Sequence, residues 1–135
     1  MAYAYSSAIR RRAAIAAGRG RLERPSHAVC WGDPERGPFL RLEVLVARGA
    51  IARAAFDAND CPVAIACGSA LVELIDGEDA AALARLGRAD LVALVGEVPP
   101  GKTYCLDMAA ELLRQVAELA QPGEDEHDEP RAGAS

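Results

Sequence analysis

Four cysteines, Cys30, Cys61, Cys67 and Cys105, are the residues of this 135-residue chain whose types best suit chemistry. Cys61 directly precedes Pro62, and proline favours the first position of a helix because its missing N–H is not needed there. Cys61 is therefore predicted to cap a helix, with its sulfur beside unpaired backbone N–H groups that favour a thiolate. Serine or aspartate would cap a helix better, so the thiol indicates a chemical role.

Cys105 is the second thiol predicted at the start of a helix. The clearest helical pattern of the chain covers 106–120, where apolar residues repeat at intervals of three and four. Soft thiolates are preferred ligands of zinc and of iron–sulfur clusters. We expect Cys61 and Cys105 to have a thiol pKa below the free value of about 8.5 and to share one site with Cys30.

The remaining candidates each have a structural and a chemical interpretation. Cys67 lies mid-helix among small residues, which favours a small buried core residue over a ligand. Asp33 precedes a proline and is either an ordinary turn former or a weak, exchangeable carboxylate ligand. His27 lies three residues before Cys30 and is either a solvated loop residue or a further ligand.

The elements around these residues follow an α+β pattern. Residues 39–46 alternate apolar and charged side chains, as a half-buried strand does, and 50–56 can return as the second strand of a hairpin. The segment 18–38 is rich in glycine and proline and is predicted to be mostly loop. Helices are predicted over 5–18, 61–75, 78–87, 89–96 and 106–120. We expect a small antiparallel sheet of about three strands with helices packed on one face.

Length and composition indicate a single domain, 1–121, followed by an acidic tail, 122–135, that is predicted to be disordered. The formal net charge of −5 argues against a general nucleic-acid binder. No apolar run approaches membrane-spanning length and no signal-peptide pattern is present, so we expect no membrane partner. Cysteines without such a signal favour a reducing compartment, and the cytoplasm is the expected location. No catalytic triad spacing, Walker loop or dinucleotide fingerprint indicates an enzyme.

Residues 49–117 resemble the U-type iron–sulfur cluster scaffold family, IscU and the N-terminal domain of NifU. That family has a phenylalanine, a cysteine five residues on, and a small-residue run ending in serine and leucine, which Phe56, Cys61, Ser69 and Leu71 match. It also has leucine-proline-proline-valine-lysine, two residues and a cysteine, which is similar to the stretch VPPGKTYC at 98–105. The resemblance implies the SufE/NifU-like fold.

The resemblance further implies a scaffold, not an enzyme, that accepts sulfur from a cysteine desulfurase. The scaffold would build a transient [2Fe–2S] cluster from iron and pass it to recipient apoproteins, and the same ligands would also hold zinc. The implied metal ligands are Cys30, Asp33, Cys61 and Cys105, with Cys61 and Cys105 accepting the sulfur. A dedicated chaperone ATPase is implied to grip an extended surface segment made of Val98, Pro99, Pro100, Gly101 and Lys102.

Two positions depart from the family pattern. Trp31 is inserted after Cys30, where the family has cysteine-glycine-aspartate, and Tyr104 stands where IscU has histidine and the SufU type usually has a basic residue. These departures leave two alternatives open. One is a SufU-like zinc protein that relays persulfide sulfur, which the VPPGK stretch argues against, and the other is a degenerate family member that acts as a regulatory binding partner.

Overall fold

The structure is a computed structural model that describes residues 5–121, and the prediction for the tail at 122–135 lies outside the described residues. Its elements, in chain order, are α1 (Ser7–Ile15), β1 (His27–Gly32), β2 (Phe39–Ala47), β3 (Ala50–Ala58), α2 (Pro62–Ile75), α3 (Ala80–Ala84), α4 (Arg88–Val95), the 3-10 turn Pro100–Lys102, and α5 (Tyr104–Ala120). The three strands form one antiparallel sheet in the order β1-β2-β3. This confirms the predicted α+β fold class.

The β2–β3 hairpin forms where the alternating pattern predicted it. Leu40, Leu42 and Val44 of β2 are buried toward the helices, as every second residue of a half-buried strand must be. The connection is a two-residue turn in which Arg48 and Gly49 have positive φ angles of 57° and 77°. Positive φ at both positions matches the right-handed twist of the flanking strands.

The strand β1 corrects the prediction that 18–38 is mostly loop. Residues 27–32 pair antiparallel with β2, with Val29 opposite Leu42 and Trp31 opposite Leu40. Pro25 and Gly32 mark the two ends of a short strand, and the free edge of β2 supplies the backbone partners that the strand needs.

The segment between α1 and β1 crosses the face of the sheet that is opposite the helices. It first runs beside β3, where Gly20 N donates to Phe56 O at 2.8 Å, and then passes over β2, where Leu22 N donates to Glu43 Oε1 at 2.8 Å. Glu43 is consequently only 3% exposed, although it points away from the helices. Arg21 Nε at 3.2 Å and Arg41 Nε at 3.6 Å compensate the charge of this buried carboxylate.

The helix α2 lies at the centre of the core and was predicted correctly. Ten of its residues are buried, as expected for a helix that is apolar almost all round. Gly68 is required there, because a Cβ at this position would lie 2.3 Å from Cδ2 of Phe56 in β3. The helix α5 is amphipathic, and its apolar face covers β1 and β2. None of the helices within 5–121 is long and apolar enough to cross a bilayer.

The segment before α5 is not the extended stretch that its prolines predicted. Pro99 is extended, with φ −55° and ψ 146°, but Lys102 N then donates to Pro99 O at 2.9 Å and closes the 3-10 turn Pro100–Lys102. Proline fixes the φ that a 3-10 turn also needs, so two prolines do not force an extended chain. The helix α5 then begins at Tyr104, which places Cys105 inside its first turn rather than before it.

Candidate thiol site

Cys61 caps α2, as the Cys-Pro pair predicted. Its backbone is extended, with φ −134° and ψ 122°, and its carbonyl accepts the first helical hydrogen bond, from Ile65 N at 2.9 Å. Its side chain makes no capping hydrogen bond, and the residue is 6% exposed. The sulfur at the start of α2 is therefore not used to cap the helix, and it contacts Lys102 and Cys105 instead.

Cys105 lies next to Cys61, at the start of α5, and is fully buried. Burial, together with the negative charge of the nearby Cys61, raises the pKa of the Cys105 thiol to about 12. The predicted decrease in pKa is therefore wrong for Cys105, because desolvation penalises its thiolate more than the nearby positive groups stabilise it. The structure brings these two thiols together, and their role as a shared site remains a prediction.

Cys67 is a third thiol in the same neighbourhood. It is fully buried, which confirms the interpretation as a small core residue. Burial, followed by the charges of Cys105 and then Cys61, raises its pKa to about 12. We refer to Cys61, Cys67 and Cys105 as the thiol cluster. Sequence reasoning missed the proximity of Cys67 to the other two, because the approach of α5 to the middle of α2 is a tertiary feature.

Lys102 and Tyr104 flank the Cys61–Cys105 pair. The negative charge of Cys61, and next that of Tyr104, raises the pKa of the Lys102 ammonium. Burial, and next the charge of Cys105, raises the pKa of the Tyr104 phenol. The family resemblance implied only a chaperone-binding role for Lys102, yet its ammonium lies beside Cys61. Its position three residues before Cys105 was the signal that could have placed it at the site.

Cys30 lies on the other face of the sheet. It pairs with Arg41 of β2, and Arg41 pairs with Asp57 of β3. Residues directly opposite each other in an antiparallel ladder share one face, and this row alternates with the row of Leu40, whose side chain faces the helices. Cys30 is exposed, and its Sγ lies 3.7 Å from the carbonyl oxygen of Gly32.

Asp33 follows β1 and acts in a turn. It is exposed, its Oδ1 accepts a hydrogen bond from Glu35 N at 2.9 Å, and its Oδ2 lies 3.8 Å from Arg36 Nε. His27 begins β1 and is half-buried, so it is not a loop residue. Between residues 5 and 121, no group of three or more His, Cys, Asp or Glu side chains is arranged to hold a metal ion. The structure thus brings together Cys61 and Cys105, but not Cys30 or Asp33.

The inserted residue accounts for the orientation of Cys30. Successive side chains of a strand point to opposite faces, so one extra residue turns a side chain over. Trp31 directly precedes Gly32 and Asp33, and it faces the helices in the row of Leu40. Trp31 therefore stands where the cysteine-glycine-aspartate pattern would place its thiol.

The fold agrees with the comparisons with known proteins. The model of the family described as NifU-like N terminal domain matches residues 5–120. The chain belongs to this family. A 64-residue stretch, 47% of the chain, is 38% identical to the bifunctional protein NifU/MnmA of Rubrobacter xylanophilus. The present NifU-like chain spans 13% of the length of that relative.

Solved structures share the fold of this NifU-like domain. One is a nitrogen-fixing NifU-like protein (N-terminal) from Brucella abortus, with a TM-score of 0.54 and 16% identity over 85% of this chain and 81% of that one. Another is a candidate iron–sulfur cluster assembly scaffold protein for the SUF system from Fervidobacterium islandicum AW-1. It has a TM-score of 0.55 and 19% identity over 85% of this chain and 88% of that one.

Proposed function

We propose that this NifU-like protein is an iron–sulfur cluster assembly scaffold whose working thiols are Cys61 and Cys105. The observation that carries the proposal is the meeting of these thiols at the starts of α2 and α5, beside Lys102. Family membership supports the class of function, and the thiol pair supplies ligands of the softness that iron–sulfur clusters need. The cluster is cargo in this proposal, built as [2Fe–2S] and released to recipient apoproteins.

Cys61 is the first sulfur acceptor in this proposal. The ammonium of Lys102 lies beside the sulfur of Cys61, which reaches the surface at the start of α2, whereas Cys105 is fully buried and its raised pKa keeps it protonated. The Cys61 thiolate attacks the outer sulfur of a persulfide on a cysteine desulfurase. A new S–S bond forms on Cys61 as the donor's S–S bond breaks, and the donor leaves as a thiolate. Cys105 lies close enough to become the second ligand once iron arrives.

The remaining ligands of the proposal depend on the family resemblance alone. Cys30 and Asp33 would join Cys61 and Cys105 only if the end of β1 turned over, because Cys30 faces away from the helices. Zinc is the other ion that a thiol pair suits, so zinc occupancy is part of the proposal. Transfer of a finished cluster to an apoprotein requires only that the protein ligands release the cluster.

A dedicated chaperone ATPase remains a proposed partner. Pro100 and Gly101 are exposed, and Lys102 connects their turn to Cys61. A chaperone that pulled on 98–102 would withdraw Lys102 from Cys61 and disturb the first turn of α5, where Cys105 lies. Movement of the turn would therefore change the surroundings of both thiols, whereas a simple connector would leave them unchanged.

Sulfur mapping tests the proposal. The protein is incubated anaerobically with a cysteine desulfurase and cysteine, and mass spectrometry then locates added sulfur. We expect a gain of one sulfur atom on Cys61, slower gain in Lys102→Gln, and a visible cluster spectrum after ferrous iron is added. Zinc without any added sulfur in cysteine-treated protein would contradict the scaffold and favour a binding role.

A second function, as a family member that binds partners without carrying a cluster, is favoured by one observation. Trp31, and not Cys30, shares the row of Leu40 on the face of the sheet that meets the helices, where the resemblance implies a thiol. A site that has lost one thiolate holds a cluster less tightly. Purified protein that gains sulfur but never retains iron would identify this second function.

A further inference from the structure

A cavity of about 310 Å³ opens between α1, α2 and α4. Its lining includes Arg11, Arg12 and Ile15 of α1, Ser69 and Glu73 of α2, and Leu94 of α4. Its volume is at the lower end of the range of ligand pockets in proteins. Neither the thiol cluster nor the segment 98–102 contributes to it.

The charges in this cavity favour a carboxylate. Arg12 Nη1 lies 2.8 Å from Glu73 Oε1, so these two charges compensate each other. Arg11 also lines the cavity and forms no ion pair with any residue in 5–121. Two guanidinium groups and one carboxylate leave one net positive charge. Guanidinium groups bind carboxylates through two parallel hydrogen bonds, and Ser69, which is 2% exposed, adds a buried polar group.

The apolar part of the cavity indicates that the carboxylate belongs to a protein. Ile15 is 68% exposed, the largest value among the large apolar side chains of the described part of the chain. Leu94 lies across the cavity on α4 and is half-buried. A small anion on Arg11 would leave Ile15 in water, whereas a partner segment would cover it. Apolar surface that is rimmed by charge is typical of protein interaction sites.

We propose that the α1–α2–α4 cavity is a docking site for a partner protein segment that places an acidic side chain on Arg11 and an aliphatic side chain on Ile15 and Leu94. Ser69 follows Cys61 by eight residues, about 12 Å along α2. A partner held at the cavity therefore lies close to the thiols. The docking goes beyond the proposed scaffold function and does not depend on it, because binding is measured without sulfur or iron.

A peptide titration of the full-length protein tests the proposal. The probe is the acetylated and amidated peptide Glu-Leu-Glu-Leu-Glu, and its counterpart with glutamine is the control. We expect NMR shifts of the Arg11 Nε–H, the Ser69 amide and the Leu94 methyls with the acidic peptide only. Arg11→Gln should weaken binding about tenfold, the order of one charge-assisted hydrogen bond. The matched control Arg10→Gln removes the same charge from the same helix, outside the cavity lining, and should bind as the wild type does.

Several results would overturn the proposal. They are no binding of the acidic peptide, equal binding of the glutamine peptide, or equal affinity of Arg11→Gln and the wild type. Sodium acetate that binds as tightly as the peptide would identify a small-anion pocket instead. Dimerisation that Arg11→Gln abolishes would identify a second copy as the occupant. Much tighter peptide binding after amides replace the five acidic residues of 124–129 would identify the chain's own tail.

Discussion

The thiol cluster and the end of β1 were predicted to form one site, and the fold treats them differently. At the cluster, Cys61 and Cys105 start two helices whose first turns meet, and both thiols are buried. At the end of β1, Cys30 and Asp33 are exposed, one on the far face of the sheet and the other in a turn. Two thiols have the environment of a binding site, whereas the other two predicted ligands have the environment of a surface.

The difference shows how helices and strands position a side chain. A helix start is fixed locally by a residue such as Pro62, and a small error in its boundary moves a thiol only slightly. The side of a strand is fixed by register, and an error of one residue reverses it. Trp31 is such an insertion. The place of a side chain at a helix start can therefore be inferred from a related sequence more reliably than the place of a side chain in a strand.

Alkylation should show the largest contrast between the two regions. We expect iodoacetamide at neutral pH to modify the exposed Cys30 first, while Cys67 and Cys105 react extremely slowly. A pKa of about 12 leaves Cys105 with a thiolate fraction at neutral pH about three thousandfold below that of free cysteine, whose pKa is about 8.5. Native mass spectrometry over time measures each rate. Modification of Cys105 as fast as Cys30 would remove the distinction between the regions.

Glu43 lies on the face of the sheet that carries Cys30, and its replacement tests what stabilises that face. Glu43→Ala should lower the free energy of unfolding by about 3–5 kcal/mol, because the half-buried Arg41 loses the nearer of its two carboxylates and Leu22 N loses its acceptor. Urea unfolding measures the loss. The matched variant Glu43→Gln keeps an acceptor for Leu22 N and should lose less. A loss below about 1 kcal/mol in Glu43→Ala would show that this face is not held by Glu43.

Gly68 tests the packing that holds α2, and with it Cys61, against the sheet. Gly68→Ala should cost about 1–3 kcal/mol, since its Cβ would lie 2.3 Å from the ring of Phe56. Gly101→Ala is the control, because a Cβ there meets no atom within 4 Å. Thermal unfolding compares the two variants. Equal melting temperatures would show that α2 can shift away from β3 at little cost.

Replacement of Glu111, which lies outside both regions, should have the smallest effect on stability. Hydrogen bonds from Arg114 and then Gln115 lower the pKa of Glu111 to about 2, below the unfolded value of about 4.3. Its ionised form therefore stabilises the fold above about pH 4.3, and this contribution is lost as the pH falls toward 2. Glu111→Gln should be slightly less stable than the wild type at pH 7, and the difference should shrink toward zero as the pH falls through 2. Both groups are exposed, so a large difference at pH 7 would be unexpected.

The parts that sequence could predict are those set by local chemistry. The Cys-Pro pair predicted the cap of α2, and the alternation over 39–46 predicted β2. The strand β1 was missed because its pairing depends on a free edge elsewhere in the chain. The lower pKa expected for Cys105 was wrong because the prediction considered the position at a helix start and not the burial of the thiol, which raises its pKa.

In the proposed function Cys61 and Cys105 form the working site, and Cys30 stands apart from it. Iron and sulfide bound per chain after anaerobic reconstitution test this claim directly, in Cys61→Ala, Cys105→Ala and Cys30→Ala. We expect that the first two variants lose the cluster and that Cys30→Ala keeps iron and sulfide close to the wild-type content. Loss of the cluster in Cys30→Ala as complete as in Cys105→Ala would contradict it and show that the end of β1 turns over to join the site.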